Sequence, residues 1–507
     1  MNARTLRTVL LFVLSAQVLV LVAEHATFFS ELFRFPSRLG SGLPAGAGSS
    51  LPLLLATLAA AALWAGRPWS WERFAAAGLA TFAAYGLAIY VAALASGRLL
   101  AWLPWAAVSV SAALAAAGYR SRPAAPEIRS PLSRFDVLSL LFLSTLVVPA
   151  VFPYIAYDAR LIWAWRAYAM RDEGFAYAVT RVLRPDYPPV DSILLWLGVG
   201  DPLFEGRLLP AVLLALFAVF FRARLARILP ALAPAGLLFL VATVHVWRGL
   251  ATYYADVPLM IFLVAGSLLV LGLPRAGDGK APAFDQAAGA FCLAAAALVR
   301  PDGGVCLGLL ACAALWRERA SARRAILPAA AAFAAWASWA LRPASLRPAA
   351  TGFLFAGSQW REAGATAADA VRIVSDTFFF SLQGQWLSHK GVGAAVYLVA
   401  VIAAQRVLTR ASRVESPEER ETRFFGAVTF LSLAAVAFIY AVLPFTSDIR
   451  AGVAPNVYPT WEASFRNFAN VGIGRMTVHL LPFFVLYAAR TFAAASRRRR
   501  ASSTLLR

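Results

Sequence analysis

Residues 137–156, VLSLLFLSTLVVPAVFPYIA, carry no charge, and Tyr157-Asp158-Ala159-Arg160-Leu161-Ile162-Trp163-Ala164-Trp165-Arg166 follows them directly. An apolar run of that length suits a membrane-spanning helix, which needs about 20 residues. Asp158 therefore stands at the mouth of such a helix, with hydrocarbon on one side and water on the other. A carboxylate is costly there, so a functional role is the default reading. Two readings stay open at this point. Asp158 is a helix cap or interfacial charge paired with Arg160 or Arg166, or it is a general base, which needs hydrogen-bond reach of the proton it takes.

Working outward, the rest of the chain has the same character. Of its 507 residues 60% are hydrophobic and 14% charged, and the mean hydropathy is +0.67. Those values point to an all-α polytopic membrane protein. The net charge of +21 does not point to nucleic acid, because the basic residues fall in short clusters between apolar runs. About fourteen membrane segments are expected, near 8–24, 51–66, 73–97, 99–118, 136–156, 207–221, 232–247, 254–273, 285–299, 303–316, 325–341, 391–406, 424–443 and 475–493. With the N-terminus inside, inner segments hold the larger share of the 47 Lys and Arg, at a density more than about twofold higher than the outer ones. Arg497-Arg498-Arg499-Arg500 is then cytoplasmic. Arg4 and Arg7 ahead of an apolar core also fit a cleaved signal, which leaves the side that Asp158 faces unchanged.

This orientation predicts long external loops near 157–206, 342–390 and 444–474. In the first, Ala159–Met170 reads as an interfacial amphipathic helix with Trp163 and Trp165 at headgroup level. Val190–Gly198 is too short to span and reads as a half-buried helix after the Pro188-Pro189 turn. Further polar groups gather at the same membrane face. Asp186 and Tyr187 precede the two prolines, and Asp256 opens the run Asp256-Val257-Pro258-Leu259. An N-cap role suits Asp256 equally well. Arg300-Pro301-Asp302-Gly303-Gly304 reads as a tight turn with a snorkelling arginine, or as a phosphate clamp. Arg475 and His479 are four apart, hence on one helix face, and offer a second phosphate contact or an interfacial anchor. Cys292, Cys306 and Cys312 lie in apolar segments without metal-ligand spacing, so packing is their expected role. The sequence has no Walker A stretch and no Gly-x-Ser-x-Gly elbow.

These residues, in this order, resemble the bacterial membrane glycosyltransferases of the GT-C fold, in particular the group of aminoarabinose transferases and protein O-mannosyltransferases. Four motifs carry the resemblance: the acid opening the first external loop, the Asp186-Tyr187-Pro188-Pro189 stretch, the Asp256-x-Pro-Leu helix start, and the basic residue followed by glycine at Arg300 to Gly303. It covers roughly 136–341, with a weaker likeness around Arg475–Pro482. The resemblance implies a catalytic module at 136–341; the apolar segments add a unit of about four helices at 1–135, unusual for the simplest relatives, and C-terminal helices with two external loops at 342–507. It further implies a cavity facing the outside of the bacterial inner membrane, containing short interfacial helices. The donor would be a sugar on a polyprenyl phosphate, and the acceptor a hydroxyl or phosphate of a lipid, glycan or protein. Asp158 corresponds to the base. Asp186, Tyr187 and Asp256 would line the cavity, and Arg300, with Arg475 and His479, would meet the lipid phosphate. Ala159 stands where many relatives have Glu, so no essential metal or other cofactor is expected. A transporter or flippase of lipid-linked glycans, and an oligosaccharide ligase or polymerase, are the alternatives.

Overall fold

The structure is a computed structural model that describes chiefly residues 57–64, 70–99, 133–145, 160–182, 187–197, 208–243, 255–273, 283–317, 319–347, 421–429 and 478–505. It is all-helical, with no strand among the described residues. In chain order the elements are α1 (Trp71–Ser96), α2 (Arg134–Thr145), a π-turn (Arg160–Ala164) running into α3 (Trp165–Asp172), α4 (Phe175–Thr180), α5 (Val190–Trp196), α6 (Leu208–Ile228), α7 (Ala233–Val241), α8 (Asp256–Val270), α9 (Ala283–Val299), α10 (Pro301–Arg317), α11 (Arg319–Ala340) and α12 (Leu481–Leu505). The expected segments at 8–24, 99–118 and 391–406 lie almost wholly outside the described residues, as do most of those at 136–156 and 424–443 and part of that at 51–66.

α8 shows why the bundle forms. Its sequence DVPLMIFLVAGSLLV is apolar on every face, and each residue is buried. A helix apolar all round belongs in a core, not at a surface. Its one hydroxyl, Ser267, returns to the Leu263 carbonyl at 2.6 Å. Gly272, at φ 59°, ends the helix, and the Leu273 N–H reaches back to the Leu268 carbonyl at 2.8 Å. α9 runs antiparallel to α8 and also packs on α1, α10 and α11. The two backbones meet at Gly266 and Gly289, where a Cβ on Gly289 would stand 2.9 Å from the Gly266 carbonyl oxygen. Small residues at a helix crossing allow this approach.

α1 and α6 are each long and apolar enough to cross a membrane. At 26 residues, α1 spans about 39 Å. Ser70 caps its start by accepting from the Arg73 N–H. Outward-facing Val137, Leu138, Leu140 and Leu141 on α2, and Ile326 and Phe333 on α11, are exposed. Apolar surface of this kind favours a hydrocarbon surrounding over water.

α6 departs from the sequence expectation. Its apolar segment was expected to stop at 221, yet the helix continues to Ile228 because its arginines have carboxylate partners. Arg222 grips Asp136 through two bonds of 2.6 and 2.9 Å. Arg224 pairs with Glu72 at 2.7 Å and Arg227 with the same carboxylate at 2.6 Å. Arg224 also donates to the Leu273 carbonyl. Together with Asp285 these groups form a charged layer where α1 and α9 begin and α6 and α8 end. α12 continues through the arginine run 497–500, and its Arg490 pairs with buried Glu421.

Candidate functional site

A second set of charges lies at the opposite end of α8 and α9, about 20–25 Å away by helix rise. Antiparallel packing brings the start of α8 beside the end of α9, so Asp256 and Arg300 meet as an ion pair. Asp256 is buried. It is not an N-cap: that position is Ala255, which has no side-chain acceptor. Arg300 is engaged with the Asp256 carboxylate. The turn that holds it depends on glycine. The Gly303 N–H donates to the Arg300 carbonyl at 3.1 Å, and a Cβ on Gly303 would fall 2.2 Å from the Ala296 carbonyl oxygen. Pro301 opens α10 at a position where its missing N–H costs nothing.

α5 completes the cluster. The Pro188-Pro189 pair precedes it, with Pro189 as its N-cap residue. The helix is not half-buried, as its sequence suggested: Val190 to Leu195 are all buried. Val190 and Leu194 pack over Gly86 of α1, where a Cβ would meet Val190 at 3.0 Å. This burial carries Asp191 inside, at 4% exposure. Burial pushes its carboxyl up to about 7, helped by the nearby Asp256 carboxylate and opposed by Arg166 and Arg300. Among the described residues the carboxyl accepts no hydrogen bond.

The third part comes from the π-turn and α3. Arg166 is wholly buried, and its Nη1 donates to the Tyr187 carbonyl at 3.1 Å. Its guanidinium lies 6.0 Å from the Trp163 ring centroid, and the Trp163 and Tyr187 rings are 5.4 Å apart. Trp163 is buried beside Arg166 and Tyr187, and Trp165 is exposed. Two buried polar atoms nearby, Trp163 Nε1 and Ser192 Oγ, have no hydrogen-bond partner among the described residues.

The structure thus gathers Tyr187, Asp256 and Arg300 around Asp191. His479 is buried in the turn before α12, and α12 packs on α6, α7 and α8. Asp158, Asp186 and Arg475 lie outside the described residues. Asp191 was missed from the sequence. Its signal was a lone acid inside the apolar run Val190–Trp196 directly after two prolines, a pattern that flags function when the run is buried. Among the described residues no three His, Cys, Asp or Glu side chains are placed to hold a metal ion. Cys292 and Cys306 are buried, Cys312 is exposed, and none of the three is in a disulfide.

Chemically, the cluster offers two carboxyls and two guanidiniums in a largely buried setting. A carboxyl titrating near neutrality can exchange a proton at working pH. Guanidinium suits phosphate oxygens. Comparison of the chain with protein-family models, with curated proteins and with solved structures finds no match.

Proposed function

We propose that this chain is a GT-C-type membrane glycosyltransferase with about fourteen spans. It transfers a sugar from a polyprenyl phosphate to an acceptor at the outer face of a bacterial inner membrane. The observation that carries the reading is the buried Asp191–Asp256–Arg300–Arg166 cluster, set at the end of the bundle remote from the arginine layer. A charge cluster of that kind in an apolar bundle is a functional site by default. Positive-inside orientation assigns the arginine layer to the cytoplasm and the cluster to the outside. In the proposed reaction Asp158 takes the proton of the acceptor hydroxyl. The acceptor oxygen bonds to the anomeric carbon as the bond from that carbon to the phosphate oxygen breaks. The electron pair leaves with the phosphate, whose charge Arg300 stabilises.

A second reading, a transporter of lipid-linked glycans, draws on α5, a short buried helix that does not span. Against it, transporter sites lie near the bilayer midplane, whereas this cluster sits where α8 starts and α9 ends. The test is transfer from a panel of radiolabelled polyprenyl-phosphate sugars in membranes bearing the chain or its Asp158→Asn variant. Transfer that the variant abolishes at equal protein level supports the enzyme and its base together. Equal transfer by the variant removes Asp158 as base, and transport without transfer favours the second reading.

A further inference from the structure

Among the described residues, two guanidiniums and one carboxylate act on Asp191. Ionised Asp191 and Asp256 stand against Arg166 and Arg300. Each comes from a different element: Asp191 from α5, Arg166 from α3, Asp256 from the start of α8, Arg300 from the end of α9. α1, which covers α5 at Gly86, brings no charged side chain to that contact; its nearest ionisable groups in sequence are Tyr85 and Tyr90, the latter bonded to Ser338 at 3.0 Å. The π-turn contributes Trp163, and the segment before α5 contributes Tyr187. Arg300 is engaged with Asp256, while Asp191 accepts no hydrogen bond among the described residues.

Now add a phosphodiester anion at Arg300, the contact assigned to it under the proposed function, on which this step rests. The anion adds a negative charge beside the Asp191 and Asp256 carboxyls. The group also holds two carboxylates whose shared counter-ion has been drawn toward the phosphate. Buried net charge is strongly disfavoured, and the cheapest remedy is a proton on the carboxyl without a partner. We infer that a phosphodiester enters this site together with one proton, which Asp191 takes up, so that lipid-phosphate binding is proton-coupled through a residue outside the phosphate contact itself. The sign follows from linkage. An added anion raises the proton affinity of Asp191, so the protonated protein binds more tightly and affinity falls as pH rises. Starting from a carboxyl already near neutrality, the fall begins at about pH 7 and approaches tenfold per pH unit.

The experiment uses the full chain in detergent and farnesyl methyl phosphate, a polyprenyl phosphodiester with one fixed charge. A monoester would itself titrate, with a second pKa of about 6. Calorimetric binding at pH 8 in two buffers of different ionisation enthalpy reads the number of protons taken up. The expected result is close to one proton at pH 8, falling toward none at pH 5.5. In Asp191→Asn, whose amide mimics the protonated acid, uptake vanishes and binding stays tight across that range. Asp191→Glu, which keeps a carboxyl, restores uptake with a shifted midpoint and guards against a variant that merely misfolds. Binding without uptake in the natural chain, or uptake that persists in Asp191→Asn, overturns the inference and leaves the Arg300 contact standing. No binding at any pH, or binding unchanged in Arg300→Ala, overturns the Arg300 contact and the inference with it.

Discussion

Asp256 and Arg300 are each poor choices for a helix bundle in isolation and sensible ones together. Removing one partner of a buried ion pair leaves an uncompensated charge, a loss of about 3–5 kcal/mol. Asp256→Ala and Arg300→Ala are each expected to destabilise by that order. The double variant is expected to lose far less than the sum, because neither charge is then stranded. Unfolding of the four proteins in one detergent gives the double-mutant cycle, and simple additivity would show that the pair is not coupled. Asp191 acts on stability with the opposite sign. Its folded carboxyl titrates near 7, above the ordinary value of 3.8, so folding favours the protonated form. The natural chain is therefore most stable below about pH 4 as far as this group is concerned, and loses that contribution as pH rises to 7. At 1.36 kcal/mol per pH unit the loss is on the order of a few kcal/mol. Asp191→Asn is expected to flatten the dependence between pH 4 and 7 and to be the more stable protein at pH 8. A parallel pH profile for the two proteins would remove this assignment.

At the scale of elements, glycines decide where helices touch. Gly303→Ala would drive a Cβ to 2.2 Å from a backbone oxygen of α9, which rotamer adjustment cannot relieve. A loss of about 1–3 kcal/mol is expected, by the cost of overpacking. Gly308 lies on the same helix with nothing within 4 Å of its added Cβ. Gly308→Ala is expected to stabilise by about 0.5–1 kcal/mol, since alanine is the better helix former. Melting temperatures of the two variants moving in the same direction would contradict this packing. The pattern of apolar runs made most of these elements legible: 73–97 was expected and Trp71–Ser96 found, and 285–299 expected and Ala283–Val299 found. Hydropathy along the chain reports whether a segment is apolar, not which neighbour covers it. The extension of α6 depended on Asp136, 86 residues away, and on Glu72, 155 residues away. The depth of α5 depended on a gap at Gly86, and the burial of Trp163 on Arg166 and Tyr187. For the same reason the candidate site was legible as a set of acids and arginines near one face, while the Arg300–Asp256 pairing and the part played by Asp191 were not.

Among the described residues two charged clusters stand at opposite ends of the bundle, and their surroundings predict the orientation. Arg222, Arg224 and Arg227 sit at one end of the bundle, and the Asp191 cluster sits at the other. Each Lys or Arg near a span biases insertion toward the cytoplasm, whereas carboxylates contribute little. The cluster Arg497–Arg500 adds four more basic groups to α12 beyond Arg490, itself paired with Glu421. Exposed tryptophans mark both levels, Trp71 at the start of α1 and Trp165 at the start of α3. Indole rings of that kind favour the headgroup region on either side. The arginine end is therefore expected in the cytoplasm and Trp165 outside it. After replacement of the native cysteines by alanine, a membrane-impermeant maleimide added to intact spheroplasts should label Trp165→Cys. It should reach Trp71→Cys only after the membrane is opened. A C-terminal green fluorescent reporter should fluoresce, and an alkaline phosphatase reporter in its place should stay inactive. The reverse labelling would put the Asp191 cluster in the cytoplasm, beside soluble nucleotide-activated sugars, and would remove the reason for a lipid-linked donor.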